Sequence, residues 1–424
     1  MVESLTLQLS SQLTNMHHAK MQSRSLATEL KNQVLFQLGE KIKNNSNEIL
    51  KSNKIDLDEY QVSPTYQKAF EDRLTLTDQR IQQMAEGLIA VATLKDPVGE
   101  IADNTILTNG LSLKRIRAPL GLIFLIFESR PNVITEAFSL AFKAGNSIIL
   151  KGGKESKHTS RILYQFIREA LAEMQIHPDV FWGLEDSARE TTDFLIKQNQ
   201  WIDVLIPRGG DALIEHVTQN SRIPLIKNDR GLCHLYVHEK ADLEMALNIL
   251  INAKTQRPGV CNSVETLLVD ESIANDFLLK MYPVLSNRGV EFFVCDKVNK
   301  ILVGKPGIFL ATPSSFKTEY LDLKLNIKIV EGVKLAIKHI ELFGSKHSEV
   351  IITSDVKVAK NFEESVDAAV VYWNASSRFT DGGQFGMGGE IGISTQKLQV
   401  RGPVGMEALT SCRWIVEGQG QIRL

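Results

Sequence analysis

The stretch LIFLIFESRPNVITEAFSLAFKAGNSIILKGGKES, Leu122 to Ser156, carries two short apolar runs separated by a helical pattern and closes on a glycine turn. LIFLIF and SIIL are apolar at successive positions rather than at every second one, the pattern of strands covered on both faces. The helix over Val133 to Lys143 between them makes the pair parallel. Farther on, a helix from about Ser156, the strand DVLI and another helix continue the alternation. A second α/β series opens with HLYV at His234, runs through a helix around Leu243 to Ala253, and includes VETLLV and EVIIT. The fold class is therefore α/β, and in such sheets ligands bind beyond the carboxyl ends of the strands.

Upstream, Met1 to about Leu94 reads as helical. Leu26, Leu30, Val34, Leu38 and Ile42 recur at near-helical spacing, Ile81, Met84 and Leu88 repeat it, and Pro97 and Gly99 end it. Thr105 to Arg117 reads as two extended runs around Asn109-Gly110, a pair suited to a two-residue hairpin turn. No Pro-, Gly- or Ser-rich linker, internal repeat or low-complexity tract divides the chain, and the boundary between the two α/β series is expected near Asp229.

With 424 residues, 43% hydrophobic and 23% charged, the chain has material for two or three globular domains. Its 48 basic and 50 acidic side chains leave a net charge of -2, so no global field holds nucleic acid or an anionic membrane, and any anion site is local. Cys233, Cys261, Cys295 and Cys412 contain no CxxC pair, which argues against a zinc knuckle or a disulfide framework. The histidines suggest no catalytic metal. The N-terminus lacks a secretory pattern and no apolar run is long enough to span a bilayer, so a cytoplasmic protein is expected.

Two turns suit an anion. Lys151-Gly152-Gly153-Lys154-Glu155-Ser156 joins a strand to a helix, and Arg208-Gly209-Gly210 does the same after DVLI. Bare glycine backbone, a helix start and flanking cations provide N–H groups and positive potential, although a solvated strand-to-helix turn has the same composition. Neither G-x-G-x-x-G nor a P-loop pattern occurs, which disfavours an ordinary Rossmann contact mode and ATP hydrolysis. Cys261 follows a Pro-Gly turn in TQRPGVCNS, four residues after Arg257. That setting favours a thiolate, while a small core residue is the competing reading. In Asn374 to Glu390, Arg378 beside two serines and a glycine-rich loop can close on an anionic substrate or form an ordinary surface loop.

Taken together, ESRPNV, ILKGGKES, IPRGGDAL, NAKTQRPGVCNSVETLLV, NASSRFTDGGQFGMGGE and STQKLQVRGPVGMEALTS, in this order between about Val98 and Leu424, resemble the gamma-glutamyl phosphate reductases of the aldehyde dehydrogenase superfamily. The resemblance implies two doubly wound α/β domains plus a β-flap for oligomerisation. In this chain that means an NADP(H)-binding domain over 1–228, with the hairpin at about 99–117 belonging to the flap. A catalytic cysteine domain over 229–360 follows, and 361–424 returns to the cofactor domain and ends in an oligomerisation segment.

The implied activity is reduction of L-glutamyl 5-phosphate by NADPH to L-glutamate 5-semialdehyde and phosphate, through a thioester on Cys261, the second step of proline biosynthesis. Lys151, Gly152, Gly153, Lys154, Arg208, Gly209 and Gly210 are then expected at NADPH/NADP+, with Lys154 on the 2'-phosphate. Asn132 and the Cys261 N–H are expected at the oxyanion, and Arg130, Arg257, Ser377 and Arg378 at the substrate's carboxylate or phosphate. Where hydrolytic relatives carry a water-activating Glu, this chain reads NDRGLCH at Asn228 to His234, which favours a reductase unless Asp229 substitutes. Competing readings are a hydrolytic or CoA-acylating dehydrogenase on the same scaffold, or a binding protein without activity. A homo-oligomer and contact with glutamate 5-kinase are the expected partners.

Overall fold

The structure is a computed structural model that describes residues 2–64, 66, 68–185, 188–227 and 230–423. Backbone contacts divide the chain into two units, Met1–Lys227 with Gly386–Gly392 and Pro403–Leu424, and Asn228–Phe385 with Ile393–Gly402. The boundary expected near Asp229 falls on Asn228 and Asp229, which lie outside the described residues, as does any catalytic role for Asp229. The return expected at 361 corresponds to a later crossing, after Phe385.

The first unit begins with helices α1 (Val2–Ser25), α2 (Thr28–Asn44), α3 (Ser46–Gln61), α4 (Lys68–Leu74) and α5 (Asp78–Thr93). Val34, Leu38 and Ile42 of α2 and Ile81, Met84 and Leu88 of α5 are buried, the apolar stripes anticipated from their spacing. Leu26 instead lies between α1 and α2. Strands β1 (Ile101–Ile106) and β2 (Ser112–Pro119) pair antiparallel, and the C-terminal strand Thr410–Glu417 adds to the other side of β2.

The hairpin turn is longer than the expected two residues. Ile106 faces Ser112 across a five-residue connection in which Gly110 alone has positive φ (84°), whereas a two-residue type I′ turn needs it at both central positions. The Leu107 N–H donates to the Leu111 carbonyl at 2.8 Å, closing the loop.

The core of this unit is the parallel sheet of β3 (Leu122–Phe127), β4 (Ser147–Lys151), β5 (Phe181–Leu184) and β6 (Val204–Arg208), in the order β5-β4-β3-β6. Every residue of β3 and β4 is buried, as an apolar run covered on both faces requires. Helices α6 (Asn132–Lys143), α7 (Lys157–Glu173), α8 (Arg189–Leu195) and α9 (Asp211–Asn220) connect or follow these strands. The chain builds outward from β3 to β5, then returns to place β6 on the other side of β3. The switch in direction opens between the carboxyl ends of β3 and β6.

The second unit carries β7 (Cys233–Val237), α10 (Leu243–Thr255), β8 (Val264–Asp270), α11 (Ala274–Ser286), β9 (Glu291–Val294), α12 (Asp296–Ile301), β10 (Ile308–Leu310), β11 (Lys324–Val330), α13 (Gly332–Phe343), β12 (Ser348–Ile352), α14 (Val356–Ser365) and β13 (Val370–Trp373). They form a seven-stranded parallel sheet in the order β10-β9-β11-β8-β7-β12-β13. Strand alternation splits its core: Leu235, Val237, Val350 and Ile352 join one apolar cluster, while Tyr236, Ile351, Ala336 and Phe362 join another. The parallel pairing of β13 with β12, Ser348 opposite Val370, holds 361–385 in this unit.

Candidate active site

In the second unit the candidate residues gather at the amino ends of the strands. Cys261 lies in the connection between α10 and β8, partly exposed. The chain entering β7 presses on its backbone. A Cβ placed on Gly231 would stand 1.8 Å from the Cys261 carbonyl oxygen and 2.4 Å from its Cα, so only glycine fits there. Two residues on, the Cys233 thiol donates to the same carbonyl at 3.2 Å. Burial pushes the Cys233 thiol well above its ordinary pKa, so it stays protonated and keeps its donor.

Behind Cys233 runs a buried polar chain. His347 Nδ1 lies 3.7 Å from Cys233 Sγ and 2.8 Å from Ser348 Oγ, which lies 2.7 Å from Thr380 Oγ1, itself 2.7 Å from the Tyr372 hydroxyl. Burial lowers the His347 pKa to about 4, leaving it neutral. A register shift of β7 against β8 falls between Cys233 and His234, a local irregularity of the kind that re-aims side chains.

The segment after β13 returns to this edge and brings Arg378. Its Nε donates to Gln256 Oε1 at 2.9 Å and its Nη1 to the Asn262 side-chain oxygen. Desolvation first, and the like charge of Arg257 second, lower the Arg378 pKa, while Asp381 and Cys261 oppose them. Two guanidiniums that repel each other beside a thiol constitute a local excess of positive charge. Asn262 also donates to the Thr380 carbonyl at 2.8 Å, fixing the loop that carries Cys261.

Ser377 differs from expectation. Its side chain is fully buried and its hydroxyl donates to the Asn262 carbonyl at 2.7 Å, so in this structure it supports the cysteine loop instead of presenting an oxygen to a substrate. Nearby, Lys254 and Glu265 form a buried ion pair at 3.2 Å. Burial drives both toward their neutral forms, Glu265 up to about 7 and Lys254 downward.

The first unit holds both glycine turns at the carboxyl ends of its strands. Lys151 is the buried last residue of β4, Gly152 and Gly153 follow, and Lys154 is exposed. A Cβ on Gly152 would lie 3.1 Å from the Phe127 ring, so backbone approaches closely there. At the end of β6, Arg208 points into its own unit. Its Nη1 donates to the Ile391 carbonyl at 2.8 Å and lies 3.6 Å from Glu136, which anchors the turn. Gly209 and Gly210 then lead into α9. Arg130 is partly buried and Asn132, the exposed first residue of α6, follows it in the segment after β3.

Glu128 and Glu155, absent from the expected site residues, lie against these turns. Glu128 Oε2 accepts from the Gly210 N–H at 2.7 Å, and Glu155 Oε1 accepts from the Ser129 N–H and hydroxyl at 2.7 and 2.9 Å. Glu155 stands inside its own glycine turn in the sequence, whereas Glu128 lies 82 residues from Gly210 and nothing in the sequence joins them. His234 and His238, four apart in sequence, fall at one end of β7 and just beyond the other, unlike a helical metal pair. Among the described residues no group of His, Cys, Asp or Glu is placed to hold a metal, and no described helix is long and apolar enough to cross a membrane.

The Aldehyde dehydrogenase family model matches residues 10–290. A gamma-glutamyl phosphate reductase of Clostridium kluyveri is 46% identical over 409 residues, covering 96% of this chain and 97% of that protein. One of Wolinella succinogenes is 45% identical over 408 residues, covering 96% and 98%. The crystal structure of the gamma-glutamyl phosphate reductase of Thermotoga maritima superposes with a TM-score of 0.94 at 41% identity, covering 98% of this chain and all of that one.

Proposed function

Because the chain belongs to the aldehyde dehydrogenase family, as an oxidoreductase of its gamma-glutamyl phosphate reductase branch, we propose that it reduces L-glutamyl 5-phosphate with NADPH to L-glutamate 5-semialdehyde and phosphate in proline biosynthesis. The observation that carries this reading is Cys261 held by Gly231 and Cys233 beside Arg257 and Arg378, in a chain nearly half identical to reductases of that name.

The chemistry follows from those groups. Positive charge beside a thiol favours the thiolate, which attacks the acyl carbon of the mixed anhydride. The C–O bond to phosphate breaks, phosphate leaves with the electron pair and takes up a proton from solvent, and a thioester remains on Cys261. The nicotinamide, when bound, supplies the hydride that reduces this thioester. Collapse of the resulting hemithioacetal oxyanion breaks the C–S bond and returns the Cys261 thiolate with the aldehyde. The Cys261 N–H, and Asn132 as the second donor, are assigned to the oxyanions. Arg130, Arg257 and Arg378 are assigned to the substrate's carboxylate and phosphate, with Ser377 holding the loop that carries Cys261.

The first unit fits a dinucleotide. The turns at Gly152-Gly153 and Gly209-Gly210 expose bare backbone at strand ends, and the Gly210 N–H already binds a carboxylate. Lys151 and Lys154 supply charge to the adenosine phosphates, with Lys154 on the 2'-phosphate. Arg208 holds the second turn through Ile391. The exposed apolar residues Ile106, Trp414 and Val416 of the antiparallel sheet suit packing on a second copy of the chain. The reading further includes a cytoplasmic enzyme that receives its labile acyl phosphate by contact with glutamate 5-kinase.

The test is the reverse reaction, NADP+ reduction with glutamate 5-semialdehyde, with and without inorganic phosphate. Dependence on phosphate is expected. Activity indifferent to phosphate would identify a hydrolytic dehydrogenase, and dependence on CoA an acylating one.

A further inference from the structure

We infer that Glu128 is an internal competitor for the cofactor's phosphate, and that it couples cofactor binding to the segment carrying Arg130. The inference rests on the cofactor reading of the first unit. Glu128 follows β3 and Gly210 follows β6, so the two stand at the switch point of the sheet. The Glu128 carboxylate accepts from the Gly210 N–H at 2.7 Å, the residue just ahead of α9, and lies where a Gly209 Cβ would stand, 2.5 Å from its Oε2. An anionic oxygen thus occupies the donor that a dinucleotide phosphate would use. Two anions cannot share it, so the carboxylate must leave when phosphate arrives.

The departure has a local consequence. Ser129, next in the chain, holds a left-handed φ of 51°, a costly conformation for a serine, and its N–H and hydroxyl both donate to Glu155. Glu155 in turn lies over Gly153, whose Cβ would stand 2.1 Å from its Oε1. One short segment is therefore tied to both glycine turns and continues directly into Arg130 and the first turn of α6. Exchange of Glu128 for phosphate at Gly210 releases this side-chain tie and leaves the Glu128 N–H on the Arg208 carbonyl at 3.2 Å and Ser129 on Glu155, so part of the restraint on the segment leading to Arg130 depends on whether cofactor is bound. By linkage, substrate held at Arg130 alters cofactor affinity in return.

The measurement is NADPH affinity by fluorescence titration of the full chain, for wild type, Glu128→Gln and Glu128→Ala, with thermal melting of each in the absence and presence of saturating NADPH. Removing the carboxylate replaces a charge-assisted bond by a neutral one or none. NADPH should then bind about five- to thirty-fold tighter, while the ligand-free protein melts lower and the saturated protein is unchanged. Equal or weaker NADPH binding by both variants, with normal binding by wild type, would overturn the inference and leave the function intact. Absence of NADPH binding by wild type itself would overturn the cofactor reading and this inference with it.

Discussion

The two units share one architecture, a parallel sheet between helices, yet place their candidate groups at opposite edges. In the first, the glycine turns lie at the carboxyl ends of β4 and β6, where each chain segment next enters a helix by its N-terminus, whose partial charge is positive, and the Gly210 N–H already holds a carboxylate. In the second, Cys261, Gly231, Cys233 and His347 lie at the amino ends of β7, β8 and β12. The helix nearest in sequence, α10, arrives there by its C-terminus, whose partial charge is negative. Backbone dipoles therefore suit anions at the first edge and oppose a thiolate at the second. Arg257 and Arg378 supply by side chain the charge that the second edge lacks.

That division of labour gives the largest expected effect. Cys261→Ala should lower phosphate-dependent turnover by at least about 10⁴-fold, since no other group completes the thioester, and should leave NADPH affinity within about twofold. Loss of both together would mean that the edges do not act separately. Next in size is Arg378→Ala, for which kcat/KM should fall about a hundredfold, together with the alkylation rate of Cys261 by iodoacetamide. If turnover falls but alkylation does not, Arg378 serves the substrate alone and the thiolate is favoured by other groups. A smaller change is expected at the first edge: Lys154→Ala should reduce the preference for NADPH over NADH by about tenfold, because Lys154 is exposed and screened. An unchanged preference would move the 2'-phosphate elsewhere.

How much of this was legible in the sequence depends on distance along the chain. LIFLIF, SIIL and VETLLV announced buried strands because burial on both faces is written in consecutive residues. The placement of the two glycine turns at strand ends is legible for the same local reason. The hairpin is legible in the two extended runs, but its turn length is not, since Asn109-Gly110 permits a two-residue turn without requiring one. The second unit extends past 360 because β13 pairs with β12 and the loop after it bonds to Gln256 and Asn262, partners distant in sequence that a short strand does not announce.

The remaining surprises come from contacts distant in sequence. Glu128 meets Gly210 across 82 residues and Ser377 meets Asn262 across 115, and no spacing rule reports such pairs. Cys233 is buried, and its thiol spans 28 residues to the Cys261 carbonyl.

The smallest effect sharpens the comparison at the second edge, where Lys254 and Glu265 lie buried on either side of the Cys261 segment in sequence. Burial raises the Glu265 carboxyl from 4.5 to about 7, so between those values the folded protein keeps a proton that the unfolded chain gives up. Its contribution to stability is present in full below about pH 4.5 and is lost as pH rises through about 7. Glu265→Gln retains an acceptor for Lys254 and cannot titrate. The fall in melting temperature between pH 5.5 and 7.5 should therefore be smaller in the variant than in wild type, by a few degrees. Parallel melting curves across that range would show that Glu265 stays ionised, and that the positive charge around Cys261 is balanced by a full carboxylate instead of a nearly neutral one.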